Sequence, residues 1–259
     1  MTRYHSLPDT TPVLVGAGQV VQRVADRRSP MQLAASAADA ALVDCGGSGV
    51  AELVDTVSVT RLFSDSMGFQ PSSFGSSNNP PMSVAAAVGA TPRDCIYGQV
   101  GGNEPQSRII EFARDIAAGS RELVLLAGAE AAFNQRSAER AGETLDWQET
   151  FEQPMEDRGW GDFFVSKQEV ANGMLLPMQY YAMIEQAQAG GADTDSWRNR
   201  MARLCAGMSR VAADNPHAQY PEARSAQELL AGRQLSHLYS KGMIARDSVN
   251  LGAALVLCS

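Results

Sequence analysis

From Pro12 to Glu130 the chain alternates short apolar runs with helix-forming stretches, and this alternation limits the fold more than any other feature. Val13–Val15, bounded by Pro12 and Gly16, reads as a buried strand. Ser29 and Pro30 then open a helix, as N-cap and first helical residue, that runs to a stop at Gly46-Gly47. Val54–Val59 reads as a second strand. A loop rich in Ser, Gly, Asn and Pro follows from Ser64 to Pro81, then a short helix, SVAAAVGA, and a third strand, Asp94–Tyr97. Gly101-Gly102 is a turn. Asn103 caps a helix that runs to Ala118 and is closed by Gly119, and the run Glu122–Ala127 is a central strand. A β-α-β-α-β-α-β order is that of helices packed on a mostly parallel sheet, so the fold class is α/β.

After Glu130 the pattern changes. Residues 131–243 read as helices joined by polar loops, which predicts an inserted helical domain. Its clearest helix, Asp193–Ala213, spaces Trp197, Met201, Leu204, Met208 and Val211 along one apolar face, expected to be core. The chain then returns to strand character in NLGAALVLCS. That strand is predicted to join the sheet beside the 122–127 or the 12–16 strand. The expected domains are therefore 1–130 with 244–259, and 131–243.

The net charge of -8 makes nucleic acid an unfavourable partner. A local basic patch remains open to an anionic ligand. Arg198, Arg200, Arg203 and Arg210 share one helix, and their plain reading is a solvated face. The N-terminal stretch lacks the apolar core of a signal peptide, and no apolar run reaches the roughly 18–20 residues that span a bilayer, so a cytoplasmic protein is expected. Cys45, Cys95, Cys205 and Cys258 are far apart with no CxxC pair, which predicts neither a metal site nor a disulfide framework. Gly16-Ala17-Gly18 follows a strand, as in dinucleotide-binding folds, but Val21 stands where the third glycine belongs, and the turn does not open onto a helix.

The more specific signal is YGQVGGNEPQSRIIEFARDIAAGSRELVLLAGAEA, Tyr97 to Ala131. It reads strand, tight turn, helix, Gly stop, strand, then Gly128-Ala129-Glu130. This block resembles the nucleophile helix of the thiolase superfamily, in which a cysteine opens a helix ending in an Ile-Ala-x-Gly stop, here Ile116 to Gly119. The opening TPVLVGAGQVVQR and the closing NLGAALVLCS also resemble the ends of the N-terminal half of thiolases. EDRGWGDFFVS, PHAQYPEARS and YSKGMIARDSVN are most similar to the sterol-carrier-protein-type thiolase-like branch.

The resemblance implies a thiolase-like N-terminal α/β domain with an inserted loop domain, and CoA-linked acyl transfer of the acetyl-CoA acetyltransferase type. It also implies a C-terminal half, present elsewhere or as a partner chain, and a homodimer or larger assembly. A thiolase cysteine sits at a helix N-terminus because the partial positive charge there favours the thiolate. Counting back from Gly119 by the family's spacing places that position at Gly102, which has no thiol. Cys95, seven residues earlier on a strand, reads as a buried residue. Gly101, Gly102 and Asn103 are candidate cofactor-binding residues through their backbone N–H groups; their alternative is a turn that needs glycine only for its geometry. His5, His217 and His237 have no cysteine or carboxylate partner by sequence, and Glu130 reads as an acceptor for backbone donors. The rival function is a non-catalytic acyl-CoA or lipid-binding protein, or an assembly subunit, on a thiolase scaffold. A nicotinamide enzyme is the weakest reading.

Overall fold

The computed structural model describes residues 7–46, 49–66, 71–161, 165–191 and 193–259. His5 and Gly47, both noted above, lie outside the described residues. The chain divides into two compact units, Met1–Gly161 with Ser248–Ser259, and Asp162–Asp247.

The first unit contains β1 (Val13–Val21), α1 (Pro30–Asp44), α2 (Val50–Leu53), β2 (Thr56–Val59), α3 (Pro80–Val88), β3 (Asp94–Tyr97), α4 (Glu104–Ala117), β4 (Leu123–Glu130), α5 (Ala132–Ala141) and β5 (Glu156–Asp157). The second contains α6 (Lys167–Ala171), α7 (Pro177–Ala189), α8 (Thr194–Ala213), α9 (Ala226–Ala231) and a 3-10 turn at Lys241–Met243; β6 (Leu251–Cys258) returns to the first. The strands form one sheet in the order β1-β6-β4-β2-β3-β5. The pairings of β2 with β3, β2 with β4 and β3 with β5 are parallel, and β6 runs antiparallel to both β1 and β4. The returning strand thus meets both predicted neighbours at once, and the sheet is mixed.

Local chemistry sets the helix starts. Ser29 Oγ accepts from the Gln32 amide while Gln32 accepts from the Ser29 amide, a reciprocal capping box, with Pro30 as the first helical residue. α1 then buries Ala34, Ala37, Ala38 and Ala41 against one sheet face, with Val57, Leu125, Ala127, Ala254 and Val256 beneath them. This approach is close enough to need glycine. A Cβ on Gly16 would stand 2.2 Å from the Ala41 carbonyl oxygen, and one on Gly18 would stand 2.1 Å from that of Ala37. Gly252, opposite Val20 on β6, makes the same room beneath Leu33. Gly16-Ala17-Gly18 is therefore a packing motif. α4 covers part of the other face, where Phe112 and Ile116 meet Ile96, Val124 and Leu257.

The boundary between units falls later than 131 and 243, because α5 and the segment after it pack on the sheet unit. Phe133 N–H bonds the Val249 carbonyl at 3.1 Å. Asn134, fully buried, donates its backbone N–H to Asn250 Oδ1 and its side-chain amide to Asp26 Oδ1 and to the Arg28 carbonyl. Trp147 stacks edge-on against Phe74 at 5.3 Å and donates its indole N–H to the Arg27 carbonyl. β5 pairs with β3.

The second unit has its own core of Ala182, Ala202, Ala206, Leu229, Leu238, Tyr239 and Met243. Here one expectation is corrected. Trp197 and Met201 pack against this core, but Leu204, Met208 and Val211 are 51%, 60% and 73% exposed. The helix buries its small-residue face, where Ala202 and Ala206 permit close approach, and leaves the larger side chains outside. Among the described residues, no helix is long and apolar enough to cross a membrane.

Candidate functional site

β2, β3 and β4 run parallel, so their carboxyl ends lie along one edge of the sheet, where α/β folds gather their ligand-binding loops. Three segments meet there: residues 60–66 after β2, residues 98–103 after β3, and the last residues of β4. Gly98 N–H bonds the Val59 carbonyl and Thr60 N–H bonds that of Ala127, which staples the first two segments to the strand ends.

Gly101, Gly102 and Asn103 stand together in the turn that opens α4. Gly101 has φ +143°, a conformation that suits glycine. Asn103 is the N-cap residue, yet its side chain makes no capping bond. The amides of Val100, Gly101, Gly102 and Asn103 donate to no acceptor among the described residues. Such a run of free donors next to a helix N-terminus, with the dipole adding positive potential, suits an anionic or carbonyl oxygen. Gly102 is exposed, and a Cβ built on it meets nothing within 4 Å.

Glu104, at the first position of α4, is 3% exposed and faces back into this turn. Its Oε1 accepts the Gln99 amide at 3.0 Å and lies 3.0 Å from Arg108 Nε. Arg108 also pairs with Glu111, which Arg158 grips through two bonds of 2.7 Å. The first two turns of α4 are thereby tied to the β5 segment. Gly98 is required by this arrangement, since a Cβ there would stand 2.5 Å from Glu104 Oε1.

Beside it lies a second buried polar group. Arg61 is 7% exposed; its Nε donates to the carbonyls of Gly98 and Gly159, it pairs with Asp157, and its guanidinium sits 4.2 Å from the Tyr97 ring centre. The Tyr97 hydroxyl donates to Asp65 Oδ2 at 2.6 Å and accepts the Leu62 amide at 3.0 Å. Burial, then the Asp65 charge, raises the Tyr97 pKa, so the phenol keeps its proton. Glu130 Oε1 accepts the Phe63 amide at 2.8 Å, as its position after a strand predicted, and burial raises its pKa above the usual carboxylate range. Arg61, Asp65, Tyr97 and Glu104 were not singled out by sequence reasoning. Of these, only Arg61 carried a local sign, a charged residue two positions after an apolar strand run.

Cys95 lies on β3, 4% exposed, with its thiol pushed up to about 11 by burial and then by Asp94. Burial also raises the thiols of Cys45, Cys205 and Cys258. His237 meets Gln186 at 3.0 Å and the His217 amide bonds Asn215, both within the second unit. Among the described residues, no group of three or more His, Cys, Asp or Glu side chains is arranged to hold a metal ion. The α8 arginines lie in the second unit, where Arg198 pairs with Asp195 and Gln234.

No protein-family model matches the chain, and no curated protein is similar to it in sequence. Solved structures are. A monomeric SCP2-thiolase-like protein type 1 from Mycobacterium smegmatis matches at 31% identity and a TM-score of 0.73, over 98% of this chain and 46% of that one. The acetyl-CoA acetyltransferase of Syntrophomonas wolfei matches at 16% identity and a TM-score of 0.56, over 96% and 64%. Human mitochondrial 3-ketoacyl-CoA thiolase in complex with CoA matches at 14% and 0.57, over 96% and 64%. The chain spans about half the length of the first and less than two thirds of the other two. Its fold is that of the thiolase superfamily. Within the superfamily, the likeness to the Mycobacterium smegmatis protein places it on the SCP2-thiolase-like branch.

Proposed function

We propose that this protein handles CoA thioesters on a thiolase scaffold without forming an acyl-cysteine, the thioester oxygen or an anionic group being held by the amides of residues 100–103. The observation that carries this reading is the coincidence at one turn of four donors lacking acceptors, an open α4 N-terminus and a glycine where the family resemblance places its nucleophile. A thiolase acylates a thiolate, and a thiol with a raised pKa supplies little of it at neutral pH. All four cysteines have raised pKa values, and Cys95, nearest in sequence to the turn, is also buried. The solved CoA complex of a thiolase with this fold supports CoA as the ligand class. On this reading Gly101, Gly102 and Asn103 are cofactor-binding residues that act through the main chain.

The second reading is acyl transfer of the acetyl-CoA acetyltransferase type, supported by the fold alone. Calorimetry with acetyl-CoA and CoA separates the two from a purely structural turn. Gly102→Asp fits the open space and puts a fixed carboxylate in front of the donors. Binding of acetyl-CoA that weakens at least about tenfold in this variant supports the proposal, since like charge at a helix N-terminus excludes an anion. Unchanged binding, or none in the parent chain, defeats it.

A further inference from the structure

The exposed side of α8 carries a line of large apolar side chains flanked by arginines. Trp197, Met201, Leu204, Met208 and Val211 follow alternating spacings of four and three residues, the repeat of a helix–helix seam. The first two of these residues pack against the core of their own unit, and the last three continue the same line into solvent. Leu204, Met208 and Val211 are 51%, 60% and 73% exposed, more than half of each side chain lying open. Arg200, Arg203 and Arg210 are exposed along one side of this line. Arg203 and Arg210 form no hydrogen bond or ion pair among the described residues, and Arg200 rests on the Trp197 ring at 5.0 Å. From Ser196 to Ala213 the helix contains no acidic residue, in a chain whose net charge is -8.

We propose that this face of α8 docks an amphipathic helix of a partner protein, with an apolar spine against Leu204, Met208 and Val211 and acidic residues beside the arginine row. Charge decides between the possible occupants. A second copy laid antiparallel and face to face on α8 would bring two arginine rows together, which is unfavourable, and a parallel copy would offer the row no carboxylates, because α8 has none from Ser196 to Ala213. An anionic membrane would repel the acidic body of the chain, and three side chains in a line about 10 Å long give it little to insert. A helix with the same spacing extends a seam that Trp197 and Met201 have already begun, and its carboxylates meet Arg203 and Arg210, which pair with no carboxylate among the described residues.

The test uses the full chain and two synthetic, fluorescently labelled helical peptides with leucine at the seam positions. One carries glutamate on the flanks and the other lysine. Fluorescence anisotropy is expected to show binding of the glutamate peptide, at least about tenfold weaker binding of the lysine peptide, and weakening with added salt as the flanking charges are screened. Met208→Asp and Arg203→Glu, both on exposed side chains, are each expected to weaken the glutamate peptide at least about tenfold with an unchanged circular dichroism spectrum. Equal binding of the two peptides, no binding of either, or indifference to both substitutions overturns the proposal. Sedimentation of the chain with phosphatidylglycerol vesicles that Met208→Asp abolishes would make the surface lipid-facing. A self-associated state that Met208→Asp dissolves would make it a contact between copies. Either result also overturns the proposal.

Discussion

Installing a cysteine at the α4 N-terminus tests whether the turn still offers the field that activates a thiol. Gly102→Cys adds a side chain where nothing lies within 4 Å, and Gly102 is not among the positive-φ glycines. The cost in stability should stay within about 0.5 kcal/mol, as for other surface changes free of special contacts. A charge at a helix terminus gains about 0.3–1 kcal/mol when exposed and up to about 2 kcal/mol when partly buried. At about 1.36 kcal/mol per pH unit, that lowers a thiol from its ordinary value near 8.5 to about 7.8–8.3, or to about 7 if the free amides at 100–103 turn toward it. The pH dependence of alkylation by iodoacetamide reads this directly, because burial raises all four native thiols and leaves a low background. A new thiol that titrates at or above about 8.5 refutes the claim that this turn presents a positive, open helix end. A large loss of thermal stability refutes the claim of open space.

Other substitutions probe the frame around the turn. Gly98→Ala drives a Cβ against Glu104 Oε1 and should break the bond to the Gln99 amide, costing about 1–3 kcal/mol in chemical denaturation. Gly18→Ala sets a methyl against the main chain of α1, which no rotamer change relieves, and should cost about 3 kcal/mol or more, read by the same method. Glu130 has a folded pKa above its ordinary 4.5, so the folded state binds the proton more tightly than the unfolded state. Its contribution to stability is therefore greatest below 4.5 and falls as pH rises through the folded value. Glu130→Gln, which keeps an acceptor for the Phe63 amide, should raise the melting temperature at pH 7 relative to the parent chain and lose that advantage at pH 4. A constant difference across this range would refute the assignment.

Much of the frame was legible in the sequence because its signals are local. Ser29 and Pro30 announce α1, and Asp193 announces α8. The alternation of apolar runs placed β2, β3 and β4, and the closing run became β6 between β1 and β4. The orientation of α8 was not legible. Its alanine face and its leucine–methionine–valine face both have helical periodicity, and packing distance, which the sequence does not display, chose the alanines. The domain boundary was missed for a related reason. Asn134 and Trp147 look like residues of a polar, irregular segment until Asn250, Asp26 and Phe74 come to meet them. The turn at Gly101, Gly102 and Asn103 could be read because a glycine pair before a helix is visible in sequence, and the helix does open at Asn103. Arg61, Asp65 and Tyr97 were not, because their partnership joins residues 61–65, 97 and 157 from three separate segments.

The central claim is that thioester ligands are held at the residue 100–103 turn without acylation of this chain. Intact-mass spectrometry of the unmodified protein after incubation with acetyl-CoA, run beside calorimetry of the same sample, tests it most directly. The account predicts measurable acetyl-CoA binding and no acetyl adduct on any cysteine. A single acetyl adduct that disappears in Cys95→Ser would contradict it and make the buried thiol on β3 the working nucleophile.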